Sequence, residues 1–530
     1  MIFSSSSQKF SGLKPNISKT KAIWIGSKVN STDILNNDSE LQWTTQPFNI
    51  LGVIYTADLH DVEQLNFDDK FSNIQREITQ WSKRNITPLG KITVVKSLLL
   101  SKITHLLLSL PRPDPLWIKE LEKAFFKFIW RGKTDKIARK TMKLDLRRGG
   151  CRMINLETFI KSLKLTWIRR LLIKNSSCLN LFCEITKCDI SHLFQFGADY
   201  PRQKAHLTSN IFWKETLLYF TEFINIVQFN NSNTFLLEPL WYNDKIKVQN
   251  NTIVNNKLYD KGFHLISDLL DEDGKFLKFE QIYDKHLIKI PFTFYEGLKK
   301  AIIKSWPNVR YLTLNEALRP HQSSAIKILI QDKKSSRTIY NCFNSLAEYK
   351  PICESKWKTE LNLSPSFNWQ KVYENIMFTT KDTGLIWFTY RVVHRILGTN
   401  DYLFKIKILD NKACSLCSQE PETISHLFFH CPSVARIWSC LSSWILQKTG
   451  IRIQFDIESV LFGLLSDSDK IINLFIMLVK RCIFSFSRKN LPFTFNDITA
   501  YLQSYYSCEK KMFSPEDFLK RWSKWKCLFD

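Results

Sequence analysis

The chain has 530 residues, 44% of them hydrophobic, and a formal net charge of +25 at pH 7. This length exceeds one typical core, so we expect several domains and no need for disulfides. The 13 cysteines are an odd number without a repeating framework. The N-terminus lacks the apolar core of a signal peptide, and no apolar run reaches the span of a bilayer. These features exclude a secreted disulfide scaffold and favour a soluble, nuclear or cytoplasmic protein with no membrane partner.

The positive charge is concentrated in one part of the chain. Residues 71–174 hold 24 Lys and Arg against seven Asp and Glu. Such concentration predicts a polyanion partner, because each phosphate that Lys or Arg neutralises releases condensed counterions. The alternative is a basic surface that only keeps the protein in solution.

The first 60 residues predict strands. After them, the apolar residues recur with the spacing of an α-helix. Short β-branched and aromatic runs, "KTKAIWIGS" and "FNILGVIYT", are punctuated by glycine and favour strands. From there to residue 175, "FSNIQREITQW" and "LWIKELEKAFFKFIW" each place apolar residues on one helical face. Between them, "KITVVKSLLLSKITHLLLSL" is apolar on most sides, so it predicts a buried helix that ends at "PRPDP".

The remaining chain divides into three further regions. Residues 176–355 are less basic and mixed in period, with an extended stretch at "PLWYNDKIKVQNNTIV" and helical pieces around "DLLDEDGKFLKFEQIYDKH". Residues 356–450 contain two predicted helices and then a cysteine cluster, and residues 451–530 are predicted to be helical. We therefore expect an α+β, predominantly helical multidomain protein with boundaries at 60, 175, 355 and 450.

The segment "CSLCSQEPETISHLFFHC" has the spacing of a metal site. Cys414, Cys417, His426 and Cys431 follow the pattern C-x2-C-x8-H-x4-C. Zinc prefers a tetrahedron of thiolates and imidazoles, and a C-x2-C turn lets two sulfurs reach one ion. Three thiolates and one imidazole close the coordination sphere, so the predicted zinc is structural. Pro432 suits the first turn of a helix, which would place Cys431 near a helix N-terminus that favours a thiolate.

Two alternatives bear on this segment. Buried free thiols or a redox pair are the other interpretations of CxxC, but no thioredoxin-like strand–CxxC–helix pattern surrounds it. His430 could replace Cys431 as the fourth ligand, although the spacing is too short for the usual zinc finger. We prefer Cys431 and leave His430 to the core or to a contact with a ligand.

Two acidic stretches look like catalytic or metal sites, and we interpret both as structural. Asp68 and Asp69 resemble a polymerase carboxylate pair, but they precede the predicted helix at Phe71, where acids favour a helix N-terminus. Asp271 and Asp273 partly match a calcium loop, but Leu269 stands at its first ligand position. An Asp-Gly turn is the expectation there.

Several stretches in collinear order resemble one family, the non-LTR (LINE-type) retrotransposon reverse transcriptases, in its C-terminal half. "SGLKPNISKT" resembles the motif that follows the catalytic hairpin of the palm, and "FNILGVIYT" resembles the primer grip. The basic helical region is similar to the thumb. "IWFTYRVVHRILGTNDYLFKIKILDNKACSLC" with "PETISHLFFHCP" looks like the reverse transcriptase zinc-binding domain. The palm and primer-grip residues that carry the resemblance are Gly12, Lys14, Asn16, Lys19, Thr20, Leu51 and Gly52.

The resemblance implies phosphate contacts in the thumb-like region. Lys119, Lys123 and Lys127 fall four apart on the polar face of a predicted helix. The following basic loop supplies further candidates, and these contacts would position nucleic acid without reading its sequence. Phe428 and Phe429 are candidates to contact the element's RNA or its target DNA, although core positions are the stronger expectation. The loop candidates are Arg131, Lys133, Lys136, Arg139, Lys140, Arg147 and Arg148.

One departure from the family determines the expected activity. Family members hold two Mg²⁺ ions with a carboxylate and an x-A-D-D hairpin, and this sequence contains no x-A-D-D. We expect a truncated protein that binds RNA or DNA with structural zinc, has no small-molecule substrate and does not polymerise DNA alone. The alternatives are an incomplete gene model of an active RNA-directed DNA polymerase, which would require Mg²⁺, and a domesticated zinc-binding module that binds another protein.

Overall fold

The computed structural model describes residues 21–24, 42–58, 61–173, 177–229, 235–271, 273–287, 289–307, 329, 335–345, 349–465 and 470–529. Helices dominate these residues, and the strands among them form three separate two-stranded pairs. This confirms the predicted α+β, predominantly helical class. The palm-motif residues Gly12, Lys14, Asn16, Lys19 and Thr20 lie outside the described residues.

The chain forms two compact units, and both are discontinuous in sequence. The first unit comprises Met1–Glu77, Leu99–Glu122 and Asn155–Ala347, and the second comprises Ile78–Leu98, Lys123–Ile154 and Glu348–Asp530. The division into five sequence-continuous domains stays a prediction.

The first unit contains all the described strands and a series of helices of varied length. Lys21–Ala22 pairs in parallel with Gln42–Trp43, and the other two pairs, Phe48–Ile50 with Val53–Tyr55 and Lys247–Val248 with Asn251–Thr252, are antiparallel. The α-helices are Asp61–Ser82, Ser101–Ser109, Pro115–Ile129, Leu156–Ile173, Ser177–Thr186, His192–Gln195, Asp199–Leu207, Ile211–Phe229, Asn256–Tyr259, Phe279–His286, Phe292–Ser305 and Ser335–Ser345, of which Asp61–Ser82 and Pro115–Ile129 also contribute to the second unit. Short 3₁₀ turns occur at Phe235–Leu237 and Ile266–Leu269.

A tight hairpin contains the two described primer-grip residues. Leu51 and Gly52 connect its strands with φ angles of 52° and 84°, the positive values that a two-residue hairpin turn requires. Asn66 is buried and holds the hairpin, because its amide group donates to the carbonyl of Ile54 and accepts from the Ile54 N–H, each at 2.8 Å. Leu51 is 95% exposed at the tip, so the hairpin presents an apolar side chain to solvent.

The helix predicted to begin at Phe71 begins ten residues earlier, at Asp61. Asp68 and Asp69 therefore lie within the helix, so the prediction that they precede it was wrong. Asp61 and Glu63 are the acids in its first turn, where they favour the positive end of the helix dipole. The Asp69 carboxylate accepts from the Asn73 side chain at 3.0 Å, one turn along. The periodicity predicted the apolar face, but it did not extend to the first ten residues of the helix, where buried Asn66 contacts the hairpin.

The apolar stretch after "NITP" is not one straight helix. It forms an α-helix at Pro88–Val94, a π-helical turn at Val95–Leu99 and a second α-helix at Ser101–Ser109. The Thr104 hydroxyl donates to the Leu100 carbonyl at 2.8 Å, and such back-bonding together with a π-turn bends helices. No single helix in the described part of the chain has the length and apolar character to cross a bilayer, and this bent pair passes that test by length and composition alone.

The Pro115–Ile129 helix has the two faces that its sequence predicts. Leu121, Phe125 and Phe128 are buried, and Trp117 is partly buried. Lys119, Lys123 and Lys127 are exposed on the other side, which places the row of basic side chains in solvent.

An apolar core in the first unit includes the Leu156–Ile173 and Ile211–Phe229 helices and fully buried Trp241. The turn predicted at Asp271–Gly274 is present, with Gly274 at φ 75° and the Asp271 carboxylate accepting from the Asp273 and Lys275 N–H groups. These hydrogen bonds within the turn agree with its interpretation as an Asp-Gly turn.

The second unit is helical, and it contains the cysteine cluster. Its 3₁₀ turns are Leu146–Arg148 and Ser523–Leu528, and π-helical turns occur at Val95–Leu99 and His426–His430. Its other α-helices are Pro88–Val94, Arg139–Lys143, Ile352–Leu361, Trp369–Phe378, Thr383–Val393, Asn400–Lys405, Pro432–Thr449, Ile457–Phe462, Lys470–Lys489, Phe495–Met512 and Pro515–Trp522.

Gly149 and Gly150 form a turn that leaves no space for a side chain. Gly149 has φ 78°, and its carbonyl accepts a hydrogen bond from the buried Tyr390 hydroxyl at 3.0 Å. A Cβ at Gly149 would lie 2.5 Å from the Tyr373 ring, and one at Gly150 would lie 2.0 Å from the Leu144 carbonyl oxygen. The turn therefore anchors the end of the basic loop to the Trp369–Phe378 and Thr383–Val393 helices of the same unit.

We predict that Gly150→Ala destabilises the second unit by roughly 3 kcal/mol or more, because a backbone collision cannot relax by a rotamer change. Chemical denaturation of the whole chain, followed by hydrogen exchange in the Trp369–Phe378 helix, measures the destabilisation. Gly132→Ala is the matched control, since nothing lies within 4 Å of its Cβ position and only its φ of 76° is unfavourable. Equal effects of the two variants would contradict the prediction.

Candidate metal centre

The first two cysteines lie in a tight turn fixed by backbone hydrogen bonds. The Cys414 N–H donates to the Glu420 carbonyl at 2.7 Å, and the Ser418 N–H donates to the Cys414 carbonyl at 2.8 Å. The Leu416 N–H points at the Cys414 Sγ at 3.5 Å. Ser418 adopts φ 57°, which turns the chain back after Cys417. The short spacing therefore aims both sulfurs to the same side.

The other two residues come from the next helical segment. His426 begins the π-helical turn His426–His430, and the Cys431 N–H donates to the His426 carbonyl at 2.8 Å. Cys431 is the N-cap of the Pro432–Thr449 helix, with Pro432 at its first position, as the sequence predicts. The Ser433 hydroxyl donates to the Leu416 carbonyl at 3.3 Å, so the start of this helix is bound to the first turn.

The four side chains converge with distances that suit one zinc ion. One ligand atom from each of Cys414, Cys417, His426 and Cys431 lies within 4.8 Å of the others. The Cys414 and Cys431 sulfurs are 3.9 Å apart, and the Cys417 sulfur is 3.3 Å from the His426 Nε2. Tetrahedral zinc with Zn–S bonds of about 2.3 Å places two sulfurs about 3.8 Å apart. The arrangement is therefore consistent with structural zinc.

The contact between the Cys414 and Cys431 sulfurs shifts the pKa values of the two thiols in opposite directions. The pKa of the Cys431 thiol is lowered, first by its hydrogen bond with Cys414 and also by the Ser433 N–H at the helix start. The same contact with Cys431 raises the pKa of Cys414, and burial adds to this. Zinc binds thiolates, so its binding would release the remaining thiol protons. Both sulfurs would then be deprotonated, and neither would donate a hydrogen bond to the other.

The His426 ring is oriented by an acid. Its Nδ1 lies 3.0 Å from the Glu420 carboxylate, so Nδ1 carries the proton and Nε2 is left for the metal. Glu420 is largely exposed, and His426 is buried. A carboxylate–imidazole pair of this kind fixes the tautomer and the orientation of the ring.

A second acid, Glu422, holds the metal-binding turn in place without contacting the four ligand atoms. The sequence alone does not identify it. It is fully buried, and its carboxylate accepts from the N–H groups of Asn400 and Ser415 at 3.0 and 3.1 Å. It also accepts from the Ser487 hydroxyl at 3.2 Å and from the Arg488 guanidinium. Ser415 follows Cys414 directly, so Glu422 connects the metal-binding turn to the Lys470–Lys489 helix.

The local sequence carries little signal for Glu422. Its partners Ser487 and Arg488 lie more than 60 residues away along the chain. The sequence shows only that one acid, in "PETISH", lies between the two halves of the ligand set. Because glutamate is rarely fully buried, nothing local predicts a buried position for it.

The residues beside the ligands have definite environments. Cys431, and not His430, completes the group of four, and His430 is exposed with its ring against Phe429. Phe428 is fully buried beneath Trp438, whose indole N–H donates to the Phe428 carbonyl at 2.7 Å. Phe428 is therefore a core residue and not a nucleic-acid contact, whereas Phe429 is half-buried.

The predicted phosphate-contacting residues in the basic loop have two kinds of surroundings. Arg139 pairs with Asp135 at 2.7 Å and lies over the Phe126 ring, and Arg147 pairs with Glu374 at 3.1 Å. Arg131 donates to the side chain of Asn85. The exposed members of the loop set are Arg131, Lys133, Lys136, Lys140, Arg147 and Arg148. Their role in binding nucleic acid stays a prediction.

Comparison with known families gives one match in this part of the chain. Residues 335–438 match the family described as zinc-binding in reverse transcriptase. The matched range contains all four residues of the cluster and ends at Trp438, which packs on the segment between His426 and Cys431. The C-terminal region of this chain is therefore related to the zinc-binding region of reverse transcriptases.

Proposed function

We propose that the chain is a non-LTR (LINE-type) reverse transcriptase protein that binds nucleic acid and whose C-terminal region is held together by structural zinc. The observation that carries this proposal is the Cys₃His cluster within residues 335–438, the range that matches the reverse transcriptase zinc-binding family. RNA or DNA is the proposed partner, with no membrane and no small-molecule substrate, in the nucleus or the cytoplasm.

The zinc ion has a folding role in this proposal. Cys414 and Cys431 are fully buried, His426 is nearly so, and three sulfurs with one imidazole fill a tetrahedron. A closed coordination sphere leaves no position for water or substrate, so the metal supplies cross-links between the first turn and the Pro432–Thr449 helix. Its binding free energy is then folding free energy.

The exposed lysines of the Pro115–Ile129 helix support nucleic-acid binding. Lys119, Lys123 and Lys127 repeat every four residues, and this spacing places them along one side of the helix. A row of ammonium groups of this kind suits a row of phosphates and carries no base preference.

We predict that replacing Lys119, Lys123 and Lys127 together by Glu weakens binding of a labelled RNA or DNA at least tenfold. The slope of log K against log salt should become shallower by about 0.7 to 0.9 for each phosphate that is no longer neutralised. Fluorescence anisotropy at several salt concentrations measures both effects. A matched triple change of exposed Lys257, Lys261 and Lys300 to Glu should have the smaller effect. Binding that is weak and independent of salt in the wild type would instead favour a protein partner.

We further propose that this chain does not polymerise DNA alone. Its sequence contains no x-A-D-D, and Asp68 and Asp69 lie within a helix and not in a hairpin between strands. The two-Mg²⁺ chemistry of polymerases needs carboxylates that converge on one site. A primer-extension assay with the purified chain tests this, and templated synthesis by the wild-type chain would overturn it.

A further inference from the structure

Basic side chains from three separate segments of the second unit lie close together. Lys133 and Lys136 come from the loop that follows the Pro115–Ile129 helix, Arg391 from the Thr383–Val393 helix and Arg481 from the Lys470–Lys489 helix. More than 240 residues separate the loop from the two arginines, so the fold and not the sequence brings them together.

One buried aromatic ring positions the two arginines. The guanidinium carbons of Arg391 and Arg481 lie 6.0 and 5.6 Å from the centre of the Phe388 ring. Phe388 is buried, and the Arg481 guanidinium also donates to the Gly384 carbonyl at 3.2 Å. Both arginines therefore pack against the same buried side chain, Phe388.

The four cations repel one another. Burial lowers the pKa of Lys136, and the nearby charges of Lys133 and Arg391 lower it further. Burial likewise lowers the pKa of Arg391, with an added contribution from the charge of Arg481. Within the part of the chain that the structure describes, no carboxylate lies at ion-pair distance from any of the four. Their mutual repulsion is unfavourable in the free protein and would be relieved by an anion.

The acids nearest in sequence are occupied elsewhere. Asp135 pairs with Arg139 at 2.7 Å. Asp382 caps the Thr383–Val393 helix, where its carboxylate accepts from the N–H groups of Gly384 and Leu385 at 2.8 and 3.1 Å. Asp135 is therefore paired with Arg139, and Asp382, which lies beside Gly384 close to Arg481, forms no ion pair with it among the described residues.

An aromatic contact fixes the loop against the helix that carries Arg391. Trp130, directly before the loop, lies 6.0 Å from the ring of Trp387, which precedes Arg391 by one turn. Trp387 in turn stacks on Tyr390 with ring centres 5.3 Å apart. Trp387 itself is partly exposed. This contact places the start of the loop beside the arginines.

We propose that Lys133, Lys136, Arg391 and Arg481 form one binding surface for the phosphates of a nucleic-acid backbone. This inference rests on the proposed nucleic-acid binding and extends it from the thumb-like loop to the helices around the zinc-binding region. Lys133, Lys136 and Arg481 are exposed and Arg391 is partly exposed, and four separate cations suit a chain of phosphates better than a single phosphate group. The contacts set position and not sequence.

The test compares Arg391→Gln/Arg481→Gln with wild type in anisotropy titrations of a labelled RNA and a labelled DNA duplex. We expect at least tenfold weaker binding and a salt slope that is shallower by about 0.7 to 0.9 for each phosphate that is no longer neutralised. Arg391→Lys/Arg481→Lys should recover most of the affinity because it keeps the charge. Lys133→Glu/Lys136→Glu should also weaken binding, and these exposed loop residues can change without disturbing the core.

The matched control is Lys405→Gln/Lys520→Gln, which removes two exposed charges from the same unit. An equal decrease in affinity in this control would overturn the proposal, since the effect would then reflect net charge alone. Equal competition by inorganic phosphate or by anionic lipid vesicles would also overturn it. If the wild type binds nucleic acid and the arginine variant binds it as tightly, the four residues do not form the binding surface. The proposed function would still stand in that case. If the wild type does not bind, both fail.

Discussion

Replacement of Cys414 by Ser is expected to abolish stoichiometric zinc binding and to unfold the segment around the metal site. Structural zinc contributes on the order of 10 to 16 kcal/mol of coupled folding free energy, as much as the whole stability of a typical domain. Cys414 is 1% exposed, and its sulfur lies 3.9 Å from the sulfur of Cys431 in the other half of the ligand set. Zinc analysis by mass spectrometry and hydrogen exchange in the Pro432–Thr449 helix measure the two effects.

Cys440 provides the matched control for this experiment. It lies on the Pro432–Thr449 helix, it is exposed, and it is not among the four clustered side chains. Cys440→Ser should therefore keep zinc and the protection of the helix. A chelator should reproduce the effect of Cys414→Ser in the wild type. The Ile211–Phe229 helix should keep its protection in every case, because it packs in the core of the first unit and the metal site lies in the second. Unchanged exchange in the Pro432–Thr449 helix after removal of zinc would contradict the structural role.

The ligand set was predictable because its information is local. Cys414 and Cys417 lie in one turn, and Cys431 and Pro432 signal a helix start, so spacing and residue type suffice to identify them. The spacing already favoured Cys431 over His430, although both follow His426 closely along the chain. The π-helical turn His426–His430 turns His430 outward and leaves Cys431 at the helix N-cap beside the Cys414 sulfur.

The errors in the helical region have a common physical cause. Periodicity located the apolar faces of Asp61–Ser82 and Pro115–Ile129, but it did not locate the start of the first helix. The residues before Phe71 include Asn66, a polar residue with no place in an apolar pattern, which is buried against the hairpin strand at Ile54. The break at Leu100 escaped prediction for a similar reason, since a uniformly apolar run does not reveal where a helix bends.

The groups that organise the second unit were invisible to local sequence reasoning because their partners are distant. The Gly149–Gly150 turn is visible as "GG", yet its requirement for glycine comes from Tyr373 and Leu144. The cluster of Arg391 and Arg481 beside the basic loop depends on Phe388 and on the Trp130–Trp387 contact. Charge counting found the basic loop, and the resemblance to reverse transcriptases likened it to part of a thumb. The fold adds that the loop and the zinc-binding segment belong to the same compact unit.

Glu422→Gln is expected to destabilise the second unit by roughly 3 to 5 kcal/mol, the usual result of breaking a buried charge pair. The carboxylate receives only donors, from Asn400, Ser415, Ser487 and Arg488. A glutamine has the same shape but must direct an NH₂ group at one of these donors, and it leaves the Arg488 charge without its partner. Urea denaturation followed by intrinsic tryptophan fluorescence measures the destabilisation.

The same change should weaken zinc binding about 10- to 100-fold although Glu422 does not touch the metal site's four ligand atoms, because it fixes the turn that carries Cys414. Competition with a chromogenic chelator measures the affinity. Glu516→Gln is the control, since Glu516 is an exposed acid of the same unit and is not one of the residues around the metal site. We expect that control to stay within a few-fold of wild type. An equal effect of the two substitutions would show that the network of Glu422 has no special part in positioning the metal-binding turn.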